Sequence, residues 1–453
     1  MKKLLGVVFA ATFVAALGNA AGSGEAPTTI TLADAVNRTL EVDEAYKSAH
    51  EDVSSANHKT KEARAAFIPT LTGDVTAYDI IGMPEITIPA GSFGPGFPPQ
   101  DISMSAGADK GLSAGATLTY LPYQGGREYT GYRLAKRGLE LSREALRQSR
   151  SDTILSVVSA YYGVVFAEEA VRVANTSVAV ATNHVTATED RYDAGLVSEY
   201  DVLRARVQLT NLETARRQAE DGHAAARRYL LSLLDMPADT TLALTDRLSY
   251  TPEKYVLEES LTTALEKRPD FRQVELARSL AEEGVKMARG ADNVNVIFNA
   301  NYKYYAADYS LNFEDDWHDE TTLTLTAQWP LFDGFATRAR VGQARTSLYK
   351  TEFAKIRAAE AVDMDVRASY DNLLTSEVSV EAQADNVALA RRGLEIAQAR
   401  YEAGLMSNLE VLDAQSAVTQ AELGYYKALF DYELAKFNME RARGELDAYL
   451  IEE

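Results

Sequence analysis

Apolar and polar positions alternate along this chain in two rhythms, one with a period of two and one with the period of a helix. Leu71, Gly73, Val75 and Ala77 alternate with Thr70, Thr72, Asp74 and Thr76, and Leu112, Ala114, Ala116, Leu118 and Tyr120 alternate with Ser113, Gly115, Thr117 and Thr119. Later, Val294, Val296, Phe298, Ala300 and Tyr302 are set between Asn295, Asn299 and Asn301, with Ile297 breaking the pattern, and Leu323, Leu325, Ala327 and Trp329 alternate with Thr322, Thr324, Thr326 and Gln328. The alternation predicts strands over 70–78, 111–121, 294–304 and 321–331, each about the length that crosses a bilayer as a tilted strand. Aromatic residues gather at the strand ends: Tyr78, Tyr120, Tyr123, Tyr302, Tyr304, Tyr305 and Trp329. Between the strands, residues 127–193 contain no proline and are rich in good helix formers, which predicts a helix roughly 100 Å long at 1.5 Å per residue. Residues 335–402 match it. Shorter helical stretches span 31–67 and 252–289 before the strands, with Pro269 interrupting the second, and 198–234 and 407–450 after the long helices. The broad stripe Ile154, Leu155, Val157, Val158, Tyr161, Val164 and Val165 fits a helix with neighbours on two sides.

These elements occur twice. Residues 191–205 align with 400–414 at an offset of 209 with nine of fifteen positions identical, where chance gives roughly one. Pro122 and Gly126 pair with Pro330 and Gly334, and Ala160 and Tyr162 with Ala368 and Tyr370, all at 208, while Leu40-Glu41 pairs with Leu265-Glu266 at 225. The difference leaves 17 extra residues in the first half. They fall in 79–110, where the run from Pro89 to Pro99 reads as a long exposed loop. The expected organisation is a signal peptide over 1–20, a first repeat over 21–240 and a second over 241–453.

Charge and composition narrow the class. A short cationic start, an apolar stretch from Leu4 to Leu17 and small residues at Gly18-Asn19-Ala20 make a secretory signal peptide, cleaved near Ala20. The apolar stretch is shorter than the roughly 20 residues of a spanning helix. No later segment is expected to match a membrane helix, so membrane insertion would use strands. A net charge of -20 argues against nucleic acid as a partner. There is no cysteine, hence no disulfide framework and no thiolate metal site. His50, His58, His184, His223 and His318 lack metal-ligand spacing, and no nucleophile elbow or phosphate loop is present, so neither an enzymatic activity nor a cofactor is expected. The acidic stretch Glu314 to Glu320 is read as a solvated loop between strands, with cation binding as the alternative.

Alternation alone fits a half-buried sheet of a soluble domain, and the long helices alone fit a non-conducting coiled-coil scaffold. In lipid, however, four strands with open edges leave backbone groups unpaired, and closure shared by three identical copies would give twelve strands. The signal peptide, the duplicated helix and strand pairs, the proline before each long helix and the two motifs around Gly195 and Gly404 together resemble the outer-membrane efflux protein family across residues 31–447. The fold class this implies is mainly α with a small β part, a homotrimer whose 12-stranded outer-membrane β-barrel is continued by a periplasmic α-helical barrel. The implied function is a passive exit duct for efflux or type I secretion in an envelope of the Gram-negative type. Its implied partners are a periplasmic adaptor, an inner-membrane transporter and outer-membrane lipid.

The resemblance also assigns residues. Gly195, Leu196, Val197, Ser198, Gly404, Leu405, Met406 and Ser407 would form the tips of the periplasmic mouth and touch the adaptor. Glu410 and Asp413, three apart on one helix face, match acids that form a cation-attracting constriction. Tyr401 and Asp201 match a pair whose hydrogen bond latches the mouth, whereas Met406 stands where a second latch of the family uses arginine.

Overall fold

The computed structural model describes residues 28–82, 84–92, 94, 100–105, 110–306 and 317–449; the signal peptide lies outside them. The first repeat runs β1 (Thr28–Ile30), α1 (Leu32–Val42), α2 (Glu44–Ala65), β2 (Thr70–Asp79), β3 (Glu85–Ile88), β4 (Ile102–Ser105), β5 (Lys110–Gln124), α3 (Arg127–Asp193), α4 (Glu199–Leu233) and β6 (Leu242–Leu244). The second runs α5 (Leu257–Lys267), α6 (Pro269–Arg289), β7 (Asn295–Ala306), β8 (Trp317–Gln328), α7 (Ala336–Glu402), α8 (Asn408–Arg443) and α9 (Leu446–Tyr449). Both long helices have 67 residues. Each is flanked by two shorter ones, α2 and α4 along α3, α6 and α8 along α7, and α3 also packs against α6 and α8.

The sheet follows the period-two pattern. Strands β2, β5, β7 and β8 form one antiparallel sheet in that order. Its register aligns Leu71 with Leu118, Leu118 with Ala300 and Ala300 with Leu323, and likewise Val75 with Ala114 and Phe298 with Leu325. Residues directly opposite share a face, so the apolar sets of the strands fall on one side of the sheet, interrupted in β8 by Thr321 and Asp319 opposite Tyr302 and Tyr304. Leu71 and Val75 stand 72% and 75% exposed on that side. The other face is a ladder of hydroxyls and amides, with Thr72 beside Thr117, Asn301 and Thr322. Asn301 Nδ2 donates to Thr117 Oγ1 at 2.7 Å, and Thr119 Oγ1 to Asn299 Oδ1 at 3.0 Å. At the strand ends Tyr304 stacks on Trp317, and Trp329 Nε1 donates to Asp292 O at 3.2 Å.

Several expectations need correction. The stretch 31–67 is two helices, because the Asp43 carboxylate accepts from the Ala45 N–H at 3.1 Å and starts α2 afresh. The stretch 407–450 breaks at Gly444, whose φ of +75° and approach to Arg268, where a Cβ would sit 2.6 Å from the backbone nitrogen, both exclude a side chain. The 79–110 loop carries the β3–β4 hairpin. Trp317 to Glu320 lie in β8 and not in a loop, and residues 314–316 fall outside the described ones. The parallel pair β1–β6 was not expected at all. Finally, α3 holds an 18-residue window with mean hydropathy 1.4, long and apolar enough to cross a membrane. Nearly half of that window, 44%, is buried inside the molecule, so its apolarity serves helix packing.

The core sits about halfway along the long helices. One cluster joins Ile154, Val157, Val158, Tyr161 and Val165 of α3 to Val36, Leu230 and Phe437; the other joins Val362, Val366 and Leu373 of α7 to Phe271, Tyr432 and Met439. Tyr161 is the polar pin of the first. Its hydroxyl lies 3.0 Å from Ile30 O and 2.8 Å from Asp246 Oδ2, and accepts from the Asp246 N–H at 3.2 Å. Burial pushes this hydroxyl up to about 12, so it stays protonated and able to donate. Tyr161→Phe is expected to leave buried acceptors short of a donor and to destabilise the protein by about 1–3 kcal/mol. A thermal unfolding curve in detergent that matches wild type would contradict this.

Candidate functional site

The two turns that close the long helices are built alike. Gly195 and Gly404 adopt φ of +76° and +74°, a conformation that costs other residues roughly 1–2 kcal/mol. Gly195 N–H donates to Tyr192 O and Leu196 N–H to Arg191 O, both at 2.8 Å; Gly404 N–H donates to Tyr401 O at 3.0 Å and Leu405 N–H to Arg400 O at 2.9 Å. These two bonds satisfy the last carbonyls of each helix. An added Cβ would meet nothing within 4 Å at either glycine, so the dihedral alone selects the residue.

The next helices start with matching caps. Asp201 Oδ2 accepts from Ser198 N–H at 3.1 Å and from Ser198 Oγ at 2.6 Å, and Glu410 Oε2 accepts from Ser407 N–H and Oγ, each at 2.9 Å. Both are capping boxes, in which the third helical residue reaches back to the cap. Those bonds hold the Glu410 carboxyl below the usual carboxylate range. Glu410 and Asp413 are both exposed at the start of α8. Leu196 and Leu405 project from the turns, 74% and 78% exposed, while Val197 is half-buried. Met406 packs against Ala397, Tyr401 and Val411 in a small apolar cluster.

The expected bond between Tyr401 and Asp201 is not formed within the chain. Capping engages Oδ2 of the Asp201 carboxylate, and Tyr401, 6% exposed, has its hydroxyl 3.5 Å from Thr188 Oγ1. The two are joined through intermediaries instead. His184 Nε2 lies 2.5 Å from Asn408 Oδ1, and Asn408 Nδ2 donates to the Asp201 backbone carbonyl at 2.9 Å. With Asn408 accepting through Oδ1, the imidazole carries its proton on Nε2. The His184 ring also lies against Tyr401, its centre 5.4 Å from that of the phenol ring and tilted by 53°. Arg191 covers the opposite side, its guanidinium 4.5 Å from the centre of the Tyr401 ring and donating to Tyr401 O at 2.7 Å and Glu402 O at 2.8 Å. A cation on the last carbonyls of α7 is favourable at that end of the helix dipole. Completing the set, Glu189 pairs with Arg206 of α4 at 2.6 Å. The last turns of α3 are therefore tied to α4 by an ion pair, to α7 by guanidinium–carbonyl bonds and to α8 by an imidazole–amide bond.

His184, Thr188, Arg191 and Asn408 were not singled out by sequence reasoning. One signal was present for the histidine: at the 209 offset its counterpart is Gly393, so the repeats differ where the two hairpins are tied. Among the described residues no group of three or more His, Asp or Glu is placed to hold a metal ion.

Burial holds the His184 imidazole below its ordinary value, and the nearby Arg191 cation adds to this, against the opposing bond to Asn408. A depressed histidine stabilises the fold above its unfolded value near 6.5, and that stability is lost as the pH falls through the folded value. A cavity of about 350 Å³ beside His184 and Tyr401 gives protons access. Acidification is thus expected to loosen the tips. Spin labels at Leu196→Cys and Leu405→Cys, in a chain with no native cysteine, should show a broader distance distribution as the pH is lowered from neutral into the acid range, and His184→Gln should abolish the change. An acid response that persists in His184→Gln would refute the assignment.

Protein CyaE of Bordetella pertussis is 27% identical over 303 residues, covering 66% of this chain and 64% of that protein. Outer membrane protein TolC of Escherichia coli is 23% identical over 308 residues, covering 65% and 62%. The alignments thus span slightly less than two thirds of either relative. Among solved structures, CusC, described in connection with transmembrane channel formation, superposes with a TM-score of 0.76 over 95% of both chains at 16% identity, which establishes a shared fold. The model of the outer membrane efflux protein family matches residues 35–234 and 261–445, so the chain belongs to that family and is an outer-membrane protein that extends into the periplasm.

Proposed function

We propose that three copies of this chain form a passive exit duct, a strand barrel in the outer membrane continued by a tunnel of helices. The single observation that carries the proposal is the four-stranded sheet with one mainly apolar face, one polar face rich in Thr and Asn, and two outer strands, β2 and β8. In lipid the backbone groups of both edges need partners. Because the strand number is even, β8 of one copy meets β2 of the next antiparallel, and three copies close a ring of twelve strands, within the range of outer-membrane barrels. The apolar face then meets lipid and the hydroxyl and amide face lines water.

On this reading the exposed leucines of the tips, Leu196 and Leu405, with Val197, Ser198, Met406 and Ser407 around them, dock the periplasmic adaptor. An inner-membrane transporter delivers cargo and supplies the energy, and the duct itself catalyses nothing. Glu410 and Asp413, repeated three times around the mouth, draw cations. The mouth is held by the His184–Asn408 link and the Arg191 grip on Tyr401, in place of a direct bond from Tyr401 to Asp201. Reconstitution into planar bilayers tests the duct. The protein should conduct with a preference for cations, and Glu410→Ala with Asp413→Ala should move the cation-to-anion permeability ratio toward unity and relieve block by divalent cations. A protein that inserts without conducting overturns the duct; one that conducts with the ratio unchanged in the double variant overturns the constriction.

A further inference from the structure

Where the α3–α4 hairpin meets the α7–α8 hairpin, several turns from the tips, the helices leave a cavity of about 230 Å³. Val180, Leu212, Leu394 and Val418, one from each of the four helices, supply its apolar wall. Most of its polar lining is already committed. Ser177 bonds Thr419 at 2.8 Å across the α3–α8 contact, and Glu422 accepts from Arg391 at 2.9 and 2.5 Å. Gln415 is the buried group left over: it is 6% exposed, and neither its Oε1 nor its Nε2 has a hydrogen-bond partner, whereas Gln208, which also lines the cavity, is only half-buried. Buried amides are nearly always bonded, so one that lines a cavity with both ends unpaired indicates a missing partner.

We propose that this cavity binds a small neutral molecule that carries an amide on a compact apolar body, of which a lactam is the simplest form. A side-chain carboxamide presents a donor and an acceptor side by side, and a cis amide presents the complementary pair, so two bonds form together. Glu422 on the wall disfavours an anion. Because Arg391 already compensates that carboxylate, a cation finds no unpaired charge to meet. The volume lies below that of ordinary drug-sized sites and selects a single ring.

The test measures binding and not current, so it stands apart from the proposed duct. The full chain in detergent is titrated with δ-valerolactam by ligand-observed NMR, and with cyclohexanone, which has the ring and the acceptor but no donor. Saturable binding of the lactam is expected, with weaker binding of the ketone and at least tenfold weaker lactam binding to Gln415→Leu. That variant removes the unpaired amide at similar volume, so it should unfold at the wild-type temperature or above. Absence of saturable lactam binding, or equal binding to Gln415→Leu, overturns the site. A Gln415→Leu protein that unfolds at a lower temperature also overturns it, because Gln415 would then have a protein partner in the assembled molecule.

Discussion

The pairing of β5 with β7 makes two tandem copies into one molecule. Each repeat alone has only two strands of the main sheet, and an isolated two-stranded ribbon is marginal in water. Joined edge to edge, they align the apolar positions of 71, 118, 300 and 323 in one row. The same register sets where α3 and α7 leave the sheet, since each follows its last strand after a short turn. Two helices of equal length leaving one sheet arrive at the same depth. The tip-to-tip contacts among His184, Arg191, Tyr401 and Asn408 are therefore possible only because the strands at the far end are in register.

Duplication also divides labour. The glycine turns and the serine caps are repeated because they solve a local backbone problem, the unpaired carbonyls and amides at helix ends, which is identical in both halves. The residues that tie one half to the other are repeated only in part: Arg191 and Tyr401 have counterparts in Arg400 and Tyr192, whereas His184 and Asn408 have none. His184 corresponds to Gly393, Asn408 to Glu199, and the buried Tyr401 to Tyr192, which is exposed. Contact between two nearly equivalent hairpins requires that they differ.

Much of this was legible in the sequence where a period or a repeat carried it. Strands crossing a two-faced sheet alternate strictly, and a helix of 67 residues without proline announces itself. The capping boxes were readable too, as Ser198 followed by Asp201 and Ser407 followed by Glu410, and they explain those acids locally before any channel is invoked. Elements fixed by distant partners were hidden. The strand at Thr28–Ile30 is too short to show alternation and exists through Leu242–Leu244, more than two hundred residues away. Asp43 looks like any polar residue inside a helical stretch until its side chain is seen to cap. His184 acquires meaning only from Asn408, 224 positions later.

The three ties at the end of α3 differ in what weakens them. The Glu189–Arg206 pair is solvent-exposed and joins two full charges, so added salt screens it. The Arg191 bonds reach carbonyl dipoles, which gain and lose no proton and respond less to ionic strength than a pair of ions does. The imidazole–amide bond keeps its Nε2–H donor when the ring gains a proton, so acid acts instead through the burial of His184 and the nearby Arg191 cation. Brine and acid thus act on α3 at different contacts, brine on its pairing with α4 and acid on the buried His184 ring, whose added charge faces Arg191.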